Sequence, residues 1–199
     1  RQRQMCIRDR DCNPVVCLVF GAKMIQKEKT VQSETIFSGK VFDIHSDEAT
    51  IGDDPNLQHR EVIIHSGGVS IVAEHDEKIV LVRQYRYGAG EILFEIPAGK
   101  LDHGNEDILS AAKRELEEET GYHAETWTSL GYIYSTPAIC TEKIYLFFAQ
   151  NLTSGKPHPD EGEIVEYFEL PKEEVFKMIK SGEICDAKTI CGLTRAYKL

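Results

Sequence analysis

Hydrophobic and polar residues alternate in short runs along most of this chain, which is the pattern of half-buried β-strands. Two such runs, 69–73 and 78–85, flank the polar turn 74–77 and predict a hairpin. Further strands are predicted at about 92–97, 127–135, 144–151 and 164–170. Between 30 and 65, shorter alternations broken by polar turns such as 52–56 predict a small antiparallel β element.

One segment shows the three-to-four-residue period of an amphipathic helix instead. Its apolar positions are Ile108, Leu109, Ala112 and Leu116. Gly121 follows as a residue suited to end the helix in the left-handed conformation. Two C-terminal helices are predicted to begin near Pro171 and Cys185. This order of strands and helices predicts an α/β fold in which a mixed sheet is sandwiched by helices.

The first of these helices also carries a stripe of carboxylates. At about 100° per residue, three glutamates fall on one side of it, namely Glu115, Glu118 and Glu119. Glu117 points to the opposite side. Like charges at this spacing destabilise a helix, and no basic residue follows in the last turn. The stripe is either a solvated acidic surface or a site for a divalent cation such as Mg²⁺, with Arg114 orienting the carboxylates.

The stretch from Gly99 to Tyr122 resembles the Nudix box of nucleoside diphosphate hydrolases, G-x5-E-x7-R-E-U-x-E-E-x-G-U, where U is aliphatic. The directly matching positions are Arg114, Glu115, Leu116, Glu118, Glu119 and Gly121. Glu106 stands at the expected distance before Arg114. One additional residue lies between Gly99 and Glu106, in the turn 103–105, and Tyr122 replaces an aliphatic residue.

Segments outside the box resemble the ADP-ribose pyrophosphatase branch of the Nudix hydrolase family. These segments are 83–86, 95–99, Pro137 with Glu142, and 181–190. Ala138 departs from the glycine that follows the proline in that branch. The resemblance implies a Nudix-type α/β/α sandwich. It also implies Mg²⁺-dependent hydrolysis of ADP-ribose, or a related ADP-sugar, to AMP and ribose 5-phosphate.

The same resemblance implies roles for individual residues. The implied metal ligands are the Ala98 carbonyl, Glu115, Glu118 and Glu119. Glu118 also counts among the implied catalytic residues, and the implied ion is Mg²⁺, with Mn²⁺ as the alternative. Glu161 is the first candidate for the general base and Glu163 the second. A solvated acidic turn is the other interpretation of the loop that carries them.

Substrate contacts are implied at Arg60 and Arg86, because guanidinium groups match phosphate oxygens. Glu95 would accept hydrogen bonds from ribose hydroxyls. Phe42 either stacks on adenine or belongs to the core. The alternative for both arginines is an ordinary position on a strand surface.

Composition narrows the class of partner. A formal net charge of −10 argues against nucleic acid and anionic membranes as partners, and a small nucleotide sugar is expected instead. No apolar run approaches the roughly 20 residues of a membrane span. Outside the first 23 residues the cysteines are Cys140, Cys185 and Cys191, and they show no metal-ligand spacing, which favours reduced thiols in the cytoplasm. The branch commonly forms homodimers, so a homodimer is expected.

Three parts are predicted along the chain. Residues 1–23 differ from the rest and are expected to be a non-native or disordered leader, with a signal peptide as the alternative. Residues 24–65 form the N-terminal β element and 66–199 the Nudix hydrolase domain. Two other functions stay open: hydrolysis of another nucleotide sugar or a dinucleotide, and nucleotide sensing by a non-catalytic Nudix-like module.

Overall fold

The computed structural model of the protein describes residues 25–101, 106–159, 162 and 164–199. Its strands are β1 (Glu28–Ser38), β2 (Phe42–Ile51), β3 (Gln58–His65), β4 (Gly68–His75), β5 (Lys78–Arg86), β6 (Glu91–Glu95), β7 (Ala98–Lys100), β8 (Tyr122–Tyr134), β9 (Lys143–Ser154) and β10 (Val165–Pro171). Its helices are α1 (Ile108–Thr120), α2 (Lys172–Ser181) and α3 (Ala187–Tyr197).

The described residues divide into two compact units. The first contains Asp47–Arg60 and the described residues up to Ser33, whereas the second contains Glu34–Ser46 and Glu61–Leu199. Strands β1, β2 and β3 form a small antiparallel sheet in that order, which confirms the predicted N-terminal β element.

The second unit is built on a mixed seven-stranded sheet with the central order β10-β5-β4-β9-β8. Strands β4 and β9 are parallel, whereas β5 is antiparallel to β4, β6 and β10. Strand β7 pairs with β4. The predicted hairpin is confirmed, with Ala73 opposite Val80 and with Asp76 and Glu77 at positive φ in its turn.

Helices cover both faces of this sheet. Ile71 lies in one buried apolar cluster with Leu116 of α1, while its neighbour Val72 lies in a second cluster with Val175 of α2 and Leu193 of α3. Consecutive residues of a strand point to opposite faces, so β4 contributes to both cores. Strands buried on both faces explain the nearly continuous apolar run along β4. The predicted α/β/α sandwich is confirmed.

Two features of the sheet differ from the prediction. Strand β8 begins at Tyr122 rather than near residue 127, because Gly121 adopts φ 73° and turns the chain directly into the sheet. Strand β7 was not predicted, since Ala98–Lys100 shows no apolar alternation and is defined by its pairing with β4.

Local hydrogen bonds fix both ends of α1. The carboxylate of Asp107 accepts a hydrogen bond from the Ser110 N–H at 3.0 Å, and the Gly121 N–H donates to the Glu117 carbonyl at 2.7 Å. Within the described part of the chain, neither α1 nor any other helix has the length and apolar character needed to cross a membrane.

Candidate active site

A cleft of about 490 Å³ lies in the second unit, bordered by α1, the start of α3 and strands β4, β5 and β7. This volume is within the range of small-molecule sites. The charged residues that line it are Arg86, Lys100, Arg114, Glu115, Glu119, Glu142, Asp186 and Lys188. Apolar side chains of Val69, Ile133 and Ile144 contribute other parts of its wall.

Strand β7 lies directly against the acidic stripe of α1. The Ala98 N–H donates to Glu119 Oε2 at 3.0 Å, and the Glu119 side chain is buried. A Cβ built on Gly99 would lie 1.9 Å from Glu115 Cδ and 2.0 and 2.1 Å from the two carboxylate oxygens. Only glycine leaves space for that carboxylate. The structure therefore brings Ala98, Glu115 and Glu119 together at one side of the cleft.

Arg114 binds three glutamates. Its Nη1 donates to Glu115 at 2.9 Å and Glu118 at 2.8 Å, while Nε and Nη2 donate to Glu106 at 3.2 and 3.4 Å. Partial burial by itself would lower the pKa of Arg114, but these hydrogen bonds have the larger effect and raise the pKa. Glu106 therefore contacts Arg114 despite the additional residue before it. The turn 103–105 that contains this residue lies outside the described residues.

Glu118 is oriented differently from the other two glutamates of the stripe. It is not among the residues that line the cleft. Its carboxylate shares Arg114 Nη1 with Glu115, and its carbonyl accepts a hydrogen bond from the His158 N–H at 2.9 Å. Glu161 and Glu163 lie outside the described residues, so the general base stays a prediction. Among the residues with described positions, no three His, Cys, Asp or Glu side chains form a ready-made metal-ligand set.

A buried carboxylate links two cations at another part of the cleft. Glu95, the last residue of β6, is 1% exposed. Arg86 donates to it through Nε and Nη2, both at 2.6 Å, and Lys188 donates from 2.5 Å. Burial alone would raise the pKa of Glu95, but the hydrogen bonds from Arg86 and the charge of Lys188 lower it overall. The carboxylate is therefore ionised between its two partners.

The three predicted substrate contacts have different surroundings. Arg86 lines the cleft. Glu95 does not, since both of its oxygens accept hydrogen bonds from Arg86 and Lys188. Arg60 belongs to the first unit, where its Nε and Nη2 donate to Glu28 at 2.9 and 2.8 Å. The substrate roles of Arg60, Arg86 and Glu95 all stay predictions.

Sequence analysis assigned no role to Asp186 and Lys188, although both line the cleft. The sequence feature that could have identified Lys188 is its place in the first turn of a helix, where the helix dipole disfavours positive charge. Glu142 also lines the cleft, with Oε1 at 3.6 Å from His65 Nδ1. It belongs to a segment noted for its resemblance, but that resemblance supplied no role.

Comparisons with known proteins agree with this architecture. A family model described as the NUDIX domain matches residues 65–192. The ADP-ribose pyrophosphatase of Bacillus subtilis (strain 168) is 40% identical over 168 residues, which cover 82% of this chain and 89% of that protein. The methanol dehydrogenase activator of Bacillus methanolicus is 40% identical over 172 residues, which cover 84% of this chain and 91% of that protein.

A solved structure shows the same fold. The crystal structure of an ADP compounds hydrolase superposes with a TM-score of 0.77 and covers 89% of this chain and 96% of its own, at 23% sequence identity. Together with the family model and the sequence identities, this similarity shows that the chain belongs to the Nudix family and is a Nudix pyrophosphohydrolase.

Proposed function

We propose that this protein catalyses the Mg²⁺-dependent hydrolysis of the pyrophosphate bond of ADP-ribose, or of a related ADP-sugar, to AMP and ribose 5-phosphate. One observation carries the proposal: Glu115, Glu119 and Arg86 line the same cleft. That combination places carboxylate oxygens for a cation near a guanidinium for phosphate. The name of the Bacillus subtilis relative supports the choice of substrate.

The donor atoms beside β7 fit a hard divalent cation. Carboxylate and carbonyl oxygens are the protein ligands that Mg²⁺ prefers, and Gly99 leaves space for the Glu115 carboxylate. The residues that would hold the ion are Ala98, Glu115, Glu118 and Glu119. Glu115 and Glu118 are both bonded to Arg114, and Glu118 would also have to turn toward the cleft for this role. The bound ion would stabilise charge on the pyrophosphate and activate water, and Mn²⁺ is the alternative to Mg²⁺.

Arg114 and Arg86 would have different functions in this reaction. Arg114 orients Glu115 and Glu118 and compensates part of their mutual repulsion. Among the described residues Arg86 donates to Glu95 through Nε and Nη2, which leaves Nη1 for a phosphate oxygen. Glu95 would orient Arg86 in this arrangement, in addition to its proposed contact with the ribose hydroxyls.

Glu161 is the first candidate for the general base and Glu163 the second. The segment before them is bonded to the helix that carries the acidic stripe: the Gly155 N–H donates to the Gly121 carbonyl at 2.7 Å, and the His158 N–H donates to the Glu118 carbonyl at 2.9 Å. A carboxylate soon after this segment would be well placed to accept a proton from the attacking water. This attachment supports the assignment of the base to the 160–163 segment.

We also propose that the protein is a cytoplasmic homodimer. Its described cysteines, Cys140, Cys185 and Cys191, are free thiols, which fits a reducing compartment. Phe37 and Phe42 are exposed aromatic residues in the 24–65 β element, where a second copy would cover them. Light scattering coupled to size-exclusion chromatography measures the mass directly, and a monomeric mass at micromolar protein would contradict the dimer.

Product analysis on a panel of compounds tests the activity. The purified protein is incubated with ADP-ribose, other ADP-sugars, GDP-mannose and dinucleotides, each with Mg²⁺, with Mn²⁺ or with EDTA. We expect AMP and ribose 5-phosphate from ADP-ribose when a divalent cation is present, and no product in EDTA. Cleavage of another compound in preference to ADP-ribose would show that the other compound is the substrate. Binding without cleavage of any compound would favour a nucleotide-sensing module.

A further inference from the structure

Lys188 is a cation at the N-terminal end of a helix, where positive charge is unfavourable. It lies in the first turn of α3, directly after the N-cap residue Asp186 and Ala187. The dipole of the helix disfavours a cation there. Its ammonium lies 2.5 Å from Glu95 Oε2 and 3.0 Å from Asp186 Oδ1, so two carboxylates offset the dipole. These contacts hold the charged group in one place.

These carboxylates do not use the full donor capacity of Lys188. An ammonium has three N–H donors, and among the described residues the hydrogen-bond partners of Lys188 are Glu95 and Asp186. The side chain is 13% exposed and lines the cleft. One N–H donor therefore remains for a ligand in the cleft.

Arg86 approaches the same carboxylate from β5. Its Nε and Nη2 donate to Glu95, which is its hydrogen-bond partner in the described part of the chain, and the guanidinium lines the cleft with further N–H donors. Glu95 is buried and accepts from both cations, so it keeps two positive groups near each other without leaving either one uncompensated. The two cations are thus ordered before any ligand binds, which reduces the entropy lost on binding.

We propose that Lys188 is a substrate-binding residue that forms, with Arg86, an anion site for a phosphate group of the nucleotide sugar. Glu95 orients both cations, and Asp186 holds the ammonium from the other side. Phosphate oxygens accept charge-assisted hydrogen bonds from the remaining N–H groups of Lys188 and Arg86. The assignment rests on the proposed function, because it takes a nucleotide sugar as the ligand of this cleft.

Two substitutions separate a ligand contact from a structural role. Lys188→Met keeps an unbranched side chain that matches the aliphatic part of lysine and removes the charged amine, whereas Lys188→Arg keeps the charge. Calorimetry with Mg²⁺ measures the affinity for a non-hydrolysable ADP-ribose analogue, and steady-state kinetics give KM and kcat for ADP-ribose. We expect Lys188→Met to weaken binding and raise KM by about 10-fold or more, with kcat within about 3-fold of wild type. Lys188→Arg should recover part of the affinity.

Lys172 offers a matched control. It is the first residue of α2, lies 3.1 Å from Glu74 and 3.0 Å from Glu77, and is 21% exposed, but it does not line the cleft. Lys172→Met therefore removes the same charge from a similar pair of contacts, and we expect it to bind the analogue as wild type does. If Lys188→Met lowers the Tm but keeps the wild-type affinity for the analogue, Lys188 only attaches α3 to β6 and the inference is wrong.

The outcomes for this site and for the proposed activity are distinct. If wild type binds the analogue but releases no AMP from ADP-ribose, the proposed activity is rejected. Weaker binding of the analogue by Lys188→Met would still support the anion site in that case. If wild type cleaves ADP-ribose, and Lys188→Met has the same KM and the same affinity for the analogue as wild type, the proposed activity is supported and the anion site is rejected. If wild-type protein does not bind the analogue, the anion site is rejected as well.

Discussion

Gly99 and Glu115 are in direct contact, since a Cβ at residue 99 would lie 1.9 Å from Glu115 Cδ. The contact joins β7 to α1 and so determines where the first carboxylate of the acidic stripe can lie. The atoms that a Cβ would meet belong to the end of a flexible side chain rather than to the backbone. A larger residue at position 99 would therefore move the Glu115 carboxylate more readily than it would disturb the sheet.

Gly99→Ala should lower kcat by about 100-fold with little change in Tm, because displacement of a catalytic group by about 1 Å has an effect of that size. Steady-state kinetics and differential scanning fluorimetry measure the two quantities. Gly88→Ala is the matched control, since among the described residues its Cβ would meet no atom within 4 Å. A fully active Gly99→Ala variant would show that the Glu115 carboxylate is not needed in its present position.

Glu119→Gln should lower kcat by at least about 100-fold, because it removes a proposed metal ligand. Loss of a residue that only orients a metal ligand already lowers activity by up to about 100-fold. The fold should persist, since the amide oxygen can still accept the hydrogen bond from the Ala98 N–H. Glu117→Gln removes the same charge from the opposite side of α1 and should stay close to wild-type activity. Wild-type turnover in Glu119→Gln would count against the proposed metal site.

Glu95→Gln should lower the free energy of unfolding by about 3 kcal/mol at pH 7, because it removes the buried charge that both Arg86 and Lys188 face. The pKa of Glu95 is lower in the folded protein than its ordinary value. Its stabilisation is therefore complete above the unfolded pKa of about 4.3 and is lost as the pH falls through the folded pKa.

The stability difference between wild type and Glu95→Gln should accordingly shrink below about pH 4. Urea denaturation of both proteins at several pH values between 3 and 7 measures this difference. Glu91→Gln, at the exposed start of β6, is the control for loss of a carboxylate from the same strand. A difference that stays constant down to pH 3 would contradict the assigned ion pairs.

Arg60→Ala and Glu28→Ala distinguish a substrate contact from a surface ion pair. If Arg60 binds the phosphate or ribose of the substrate as the resemblance predicts, Arg60→Ala should raise KM by about 10-fold. Glu28→Ala removes the partner of Arg60 and should leave KM close to wild type. Equal KM values in both variants and in wild type would leave Arg60 as a residue of the first unit that only pairs with Glu28.

Local sequence determined most of the helices and strands and, within the site, the acidic stripe of α1. The period of apolar residues gave the β4–β5 hairpin and α1, because burial of one face requires apolar residues at the spacing of the element. Like the helix itself, its acidic stripe follows from spacing alone. The conformation of Gly121 followed from its residue type, although the immediate start of β8 did not.

Only the tertiary structure decided which side chains share the cleft. Arg86 and Lys188 line the cleft and are joined through the buried Glu95, which lies 93 positions before Lys188. This contact exists because the first turn of α3 meets the end of β6, where Thr189 Oγ1 accepts a hydrogen bond from the Ile96 N–H. Glu115, Glu118 and Glu119 are equivalent in the sequence pattern, and Glu115 and Glu118 share Arg114, yet of the three only Glu115 and Glu119 line the cleft. Spacing along a helix fixes the direction of each residue, but the contacts that each side chain makes depend on strand pairing and helix packing between distant segments.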